Sequence, residues 1–212
     1  VFREGRYDGP TSGIASGYLQ ANLVILDAAV ADDFEGYCQA NFKPCPLLER
    51  LEPGSYESKL AAGSDLRFDL PKYRRFINGE NGVEWSESTD IEAHWTDNSV
   101  AFLLGCSFSF EQALSRSGLV PRHIEEGKNV PMYRTSRRTE TVGPFSGPLV
   151  VSMRPIRQER VDEVFFITAP FRAAHGDPIY VGQLSRIGIE SLDAPDFGDA
   201  VTVKKGEVAV FW

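Results

Sequence analysis

The sequence predicts an α/β protein, with a mixed-sheet α/β main domain and a smaller inserted α+β subdomain. Apolar runs of strand length, residues 100–104 and 208–212 foremost, recur along the chain. Segments with helical spacing, residues 28–40 and 110–117, follow directly after such runs. Between residues 122 and 172 the texture changes to two strands and one helix around a Gly/Pro loop. The expected division is therefore residues 1–121 plus 173–212 for the main domain and 122–172 for the subdomain.

The elements follow in order. Gly9, Gly13 and Gly17 recur every four residues; on a helix they would share a face and admit a close backbone. Thr11 and Ser12 between them could instead touch an anion, although the Gly-Lys-Ser/Thr ending of a phosphate loop is absent. Residues 18–26 read as a strand placing Gln20 and Asn22 on one face, for backbone pairing or for reading a substrate. Residues 28–40 read as a helix, ended by Pro44 and Pro46 around Cys45. Cys45 suits burial as a small hydrophobe better than reaction, since Lys43 is the one cation beside it.

Residues 65–70 alternate strictly and predict a half-exposed strand; residues 73–77 predict a second, closing at Asn78-Gly79. The acidic stretch 80–97 predicts surface. Residues 100–104 then predict a buried strand, Gly105 a tight turn, and Cys106 and Ser107 its tip. Ser109 and Gln112 have capping-box spacing for a helix over 110–117 that stops at Gly118. A strand, a glycine turn and a helix N-terminus together can hold an anion. Strands are predicted over 130–136 and 149–154, an amphipathic helix over 157–168, and short strands over 179–181, 187–189, 201–203 and 208–212.

Charge excludes some functions. With 22 basic and 30 acidic residues the net charge is −8, which disfavours nucleic acid and anionic membrane as partners. No window approaches the roughly 18 apolar residues of a membrane helix, and the start lacks the pattern of a signal peptide. Cys38, Cys45 and Cys106 have neither disulfide nor metal-ligand spacing, and three scattered histidines give no metal motif; a reducing cytoplasm and no metal are expected.

Several residues could carry chemistry. Arg134 and Arg154 end apolar strand motifs, where a guanidinium needs either an internal acid or a substrate carboxylate. His175, in a loop before Gly176, is either structural or a proton carrier, whereas His94 and His123 lie in surface-like stretches. Glu111 in the first helical turn either favours the helix dipole or serves as acid or base. Gly105-Cys106-Ser107 approximates a nucleophile elbow, but Ser109 stands where its second glycine belongs.

These residues also form longer motifs. Gly9-Pro10-Thr11-Ser12-Gly13, Gln20-Ala21-Asn22-Leu23, Asp69-Leu70-Pro71-Lys72-Tyr73-Arg74 and Gly105-Cys106-Ser107-Phe108-Ser109-Phe110-Glu111 are four of them. Asn129-Val130-Pro131-Met132-Tyr133-Arg134-Thr135, Val150-Val151-Ser152-Met153-Arg154-Pro155, His175-Gly176 and Pro195-Asp196-Phe197-Gly198-Asp199 extend them across the chain. The whole resembles a bacterial hydro-lyase family related to the domain of the mitochondrial D-glutamate cyclase of animals. Two departures stand out: Gly182-Gln183-Leu184 replaces the usual Gly-Asp-Pro, and Ala209 a usual proline. The family also continues past Phe211-Trp212 into a further segment, and if that segment lines the site the pocket formed by these residues is incomplete.

The resemblance implies lyase chemistry that removes water, in the cyclase by turning D-glutamate into 5-oxo-D-proline. The chemistry of the residues themselves leads to the expectation of a cofactor-independent lyase acting on a small carboxylate. The expected catalytic residues are Glu111, His175, Ser107 and Cys106. The expected substrate-binding residues are Arg134, Arg154, Thr11, Ser12, Gln20, Asn22 and Asn129. Amides of the 105–109 turn are expected to meet the oxyanion. Two alternatives stay open: a hydrolase with Ser107 or Cys106 as nucleophile and His175 as base, and a non-catalytic carboxylate-binding module. A homo-oligomer is compatible with all three.

Overall fold

The structure is a computed structural model that describes residues 2–79 and 82–212. Along the chain come β1 (Ala21–Asp27), α1 (Ala28–Ala40), β2 (Leu47–Arg50), β3 (Tyr73–Gly79), β4 (Gly82–Ser88), β5 (Ser99–Gly105) and α2 (Phe108–Arg116). There follow α3 (Arg122–Glu125), β6 (Met132–Arg138), β7 (Pro148–Arg157), α4 (Val161–Thr168), β8 (Tyr180–Val181) and β9 (Glu207–Phe211). The strands make a three-stranded sheet in the order β1-β5-β2, a β3-β4 hairpin, and a four-stranded sheet in the order β6-β7-β9-β8. The α/β class is as expected, and the sheets are assembled from antiparallel pairs.

The apolar run in β5 follows from its central place. Val100 and Phe102 pack toward Ala31, Phe34 and Cys38 of α1, while Ala101 and Leu103 pack toward Leu51, Leu66 and Trp95 on the other face. A strand covered on both sides cannot alternate polar and apolar residues. β1 supports both layers, with Val24 and Leu26 on the α1 side and Leu23 and Ile25 opposite. Helix α1 has the predicted bounds, its start fixed by the Asp27 carboxylate accepting from the Ala29 amide at 2.9 Å.

The second sheet has the same two-faced logic. Ala209 and Phe211 of β9 join Tyr133, Val151 and Met153, whereas Val210 and Trp212 join Ile156 and Val164. Phe110 and Leu114 of α2 belong to that last cluster. The helix that leaves the first sheet is thus buried against the second. The sheet also draws β6 and β7 from within residues 122–172 and β8 and β9 from beyond them, so strand pairing crosses the expected division.

Several expected elements take other forms. Residues 65–70 are turns, because the Asp65 carboxylate accepts from the Arg67 amide and the Asp69 carboxylate from the Asp65 amide. Such local bonds compete with strand pairing and win here. Residues 9–17 form turns with left-handed Gly13 and Gly17 rather than a helix. Residues 184–187 form a 3₁₀ turn, and 201–203 remain unpaired, the Thr202 carbonyl accepting from Arg122 at 2.7 Å. Helix α2 begins two residues earlier than expected, and Ser109 is not its cap. Its hydroxyl accepts from the Gln20 amide at 2.8 Å and donates to the Gln20 carbonyl at 3.3 Å. The expected end at Gly118 holds, with φ of 72°.

Candidate functional site

The junction of the two sheets lies at the end of β5. An added Cβ on Gly105 would sit 1.6 Å from the Ala173 carbonyl oxygen, so only glycine lets the 172–174 turn close over the strand. Gly105 is therefore needed for close approach, and the turn beyond it is made by Cys106 and Ser107. Ser107 stands at the helix N-cap, yet its hydroxyl caps nothing. Instead it accepts a hydrogen bond from Arg154 Nη2 at 3.0 Å.

Arg154 comes from the middle of β7, between its neighbours β6 and β9, and is 1% exposed. A buried guanidinium demands a counter-charge, and Glu111 supplies it. Nη2 donates to Glu111 Oε1 at 2.6 Å and Nε to the same oxygen at 3.3 Å. Nη1 donates to Ser152 Oγ at 3.0 Å, and Phe110 and Trp212 lie 5.0 and 5.3 Å from the guanidinium carbon. Glu111 also receives Ser12 Oγ on Oε2 at 2.8 Å and His123 Nε2 on Oε1 at 3.0 Å. Burial alone would push the Glu111 carboxyl up. The Arg154 charge and the hydrogen bonds of His123 and Arg154 outweigh it and hold the carboxyl at about 2.

Ser107 and Ser152 both line a cavity of about 1230 Å³, together with Thr11, Gln20, Asn22, Cys106, Asn129 and His175. Each serine oxygen accepts from Arg154, so each retains its own proton to donate. The buried charge thereby reaches the cavity through two hydroxyls. Lys43, Lys72, Arg137 and Arg138 stand around the same space. Lys43 pairs with Asp177 at 2.9 Å, and Lys72 lies 3.4 Å from Glu87.

His175 adopts the left-handed conformation, φ 76°, alone among the described non-glycine residues. That region costs a side chain about 1–3 kcal/mol and is held only by surrounding structure. Its Nδ1 lies 3.0 Å from the Lys43 carbonyl. A carbonyl only accepts, so Nδ1 carries the hydrogen and Nε2 keeps its lone pair. Burial lowers the pKa of His175, the Lys43 carbonyl opposes that, and the positive charges of Arg154 and Lys43 add to it. The imidazole is a neutral base.

The other expected residues divide. Cys106 is buried, and burial pushes its thiol up despite hydrogen bonds from the Phe108 amide and the Asn22 side chain. Among the described residues, no hydrogen bond joins His175 to Ser107 or Cys106. The amides of Gly105, Cys106 and Ser109 already donate to the carbonyls of Pro46, Gln20 and Cys106. Asn129 faces the cavity, although its Oδ1 accepts from the Val130 amide. Arg134 is 57% exposed, bonds to Asp196 at 3.3 Å and lies 5.0 Å over Phe197. It is not among the residues that line the cavity.

Two site residues escaped the sequence reading. His123, expected at the surface, is 1% exposed, and Ser152, two residues before Arg154, was not among the expected site residues. Their signal is three-dimensional: Glu111 meets Ser12 across 99 positions and Arg154 across 43. Among the described residues there is no group of three or more His, Cys, Asp and Glu side chains that could hold a metal. None of their helices is long and apolar enough to cross a membrane.

A profile of the family described as D-glutamate cyclase matches residues 100–212, more than half of the chain. A protein of Natranaerobius thermophilus named "Putative hydro-lyase" is 52% identical over 211 residues, which cover 99% of this chain and 80% of its own length. Proteins of the same name from Mycolicibacterium gilvum and Stutzerimonas stutzeri are each 50% identical over 211 residues. Those matches cover 100% and 99% of this chain, and 79% and 78% of the relatives.

Proposed function

The chain belongs to the D-glutamate cyclase family, and on that premise we propose that it is a lyase that closes glutamate to 5-oxoproline with loss of water. One observation carries the reading. Arg154 polarises the Ser107 and Ser152 hydroxyls, and these line the same cavity as His175 with its unprotonated Nε2.

Each group then has a step. His175 Nε2 takes a proton from the substrate ammonium. The freed amine attacks the side-chain carboxyl carbon, and the new N–C bond leaves a tetrahedral oxyanion. Ser107 and Ser152 donate to that oxygen, with the Arg154 charge behind them. His175 passes that proton to one carboxyl oxygen, making it a hydroxyl. Its Nε2 then takes the second proton from the attacking nitrogen and gives it to the hydroxyl, so the C–O bond breaks, water leaves and an amide N–H remains. Arg137 and Arg138 at the cavity have no carboxylate within ion-pair distance among the described residues. They hold the substrate α-carboxylate in this reading. Glu111, fully engaged by its donors, carries no proton in the cycle. The reading needs no cofactor.

The test is incubation of the folded protein with D- and L-glutamate, with 5-oxoproline followed by NMR. Turnover of one isomer supports the reading, and no turnover of either overturns it. His175→Asn is expected to lower kcat by about 10²- to 10⁴-fold, the contribution of a positioned general base.

A further inference from the structure

His123 has no part in the steps above, yet it is as buried as Arg154. Its Nε2 lies 3.0 Å from both Glu111 Oε1 and Ser12 Oγ. A carboxylate only accepts, so Nε2 carries a hydrogen. Ser12 donates to Glu111 Oε2, which leaves its own oxygen free to receive from His123. Phe108 stacks on the imidazole at 6.1 Å and 30°, fixing its plane. With Arg154 on Oε1 as well, both carboxylate oxygens have donors, and Glu111 cannot turn without breaking charge-assisted bonds. Arg154 is locked in turn, because Nη2 bridges Glu111 Oε1 and Ser107 Oγ.

We infer that His123 and Ser12 are positioning residues, acting through Glu111 and Arg154 to aim the Ser107 and Ser152 hydroxyls at the developing oxyanion. The inference rests on the cyclisation reading. Neither residue touches the reacting atoms. Their effect falls on the transition state, since a displacement of about 1 Å at such donors costs on the order of 100-fold in rate. Ser12 gives the arrangement a second consequence. It ties the turns of residues 9–17, which form part of the cavity wall, to the same buried carboxylate.

The test compares His123→Phe, His123→Gln and Ser12→Ala in the full chain. His123→Phe keeps an aromatic ring against Phe108 and removes the donor. It should lower kcat about 10- to 100-fold, the range for losing a hydrogen bond to a charged group, with KM changed less than about twofold. His123→Gln restores an N–H and should recover most of that loss. Ser12→Ala should lower kcat by about threefold to tenfold. A second measurement needs no substrate: the Arg154 Nε–H should exchange faster with solvent in His123→Phe and Ser12→Ala by ¹⁵N NMR. A rise in KM with kcat intact overturns the inference. If the parent protein turns over neither glutamate isomer, the cyclisation reading fails, and unchanged Arg154 exchange in the variants overturns the positioning itself. If His123→Phe does not fold, Ser12→Ala with unaltered kcat and exchange overturns it.

Discussion

Strands β6 and β7 carry near-twin motifs, Met132-Tyr133-Arg134-Thr135 and Ser152-Met153-Arg154-Pro155, and opposite outcomes. β6 is the edge of its sheet, and its arginine leans over Phe197 toward Asp196, more than half exposed. β7 is flanked on both sides, and its arginine lies in the interior, where Glu111, two serines and two aromatic rings meet it. Place in the sheet order, rather than local texture, decides which guanidinium becomes part of a site. An edge arginine is solvated and weakly coupled. A central one must be neutralised completely, and its partners become fixed with it.

The largest test of the contrast removes the buried charge. Arg154→Ala leaves Glu111 ionised and without its main partner, which should destabilise the fold by about 3–5 kcal/mol. Denaturant unfolding of the variant beside the parent measures it. Arg154→Met, which fills the space, should lose activity and less stability.

Acid should reveal the same pair with a smaller effect. The Glu111 carboxyl is held at about 2 in the fold against its ordinary 4.5. A depressed carboxyl pKa stabilises the fold fully above pH 4.5, and the contribution is lost as pH falls toward 2. The loss is on the order of 3 kcal/mol. Glu111→Gln should flatten that part of the stability curve, and melting temperatures across pH 2–5 would show it.

The elements that were legible in the sequence share a physical trait: their causes are local. Helix α1 carries its own cap at Asp27, and β5 announces two-sided burial by its unbroken apolar run. The Gly105–Glu111 turn was legible as a strand-to-helix junction because small residues cluster between an apolar run and a helical segment. What was illegible depends on contacts distant in sequence. Gly105 serves a carbonyl from residue 173, and the Ser107 hydroxyl abandons the helix cap for β7. His123 looked exposed because its neighbours are polar, but Arg122 is neutralised by Glu207 and Glu125, which lets the short α3 carry the imidazole inward. The strand expected over 65–70 failed for the converse reason: two aspartates satisfied nearby amides before any strand could. Local rules give way where the site is built.

The smallest effect belongs to β6. Arg134→Ala removes an exposed ion pair of 3.3 Å and a ring contact with Phe197, each with solvent as a ready substitute. Stability should fall by no more than about 1 kcal/mol. Activity should stay within about twofold, since the residue lies outside the cavity wall. Steady-state kinetics beside the Arg154 variants makes the measurement. A loss approaching that of Arg154→Met would mean that sheet position does not separate the two arginines, and that Arg134 reaches the substrate from the edge. A near-silent variant leaves the substrate carboxylate to Arg137 and Arg138, at the end of the irregular stretch where β6 rejoins β7 at Arg138 and Pro148.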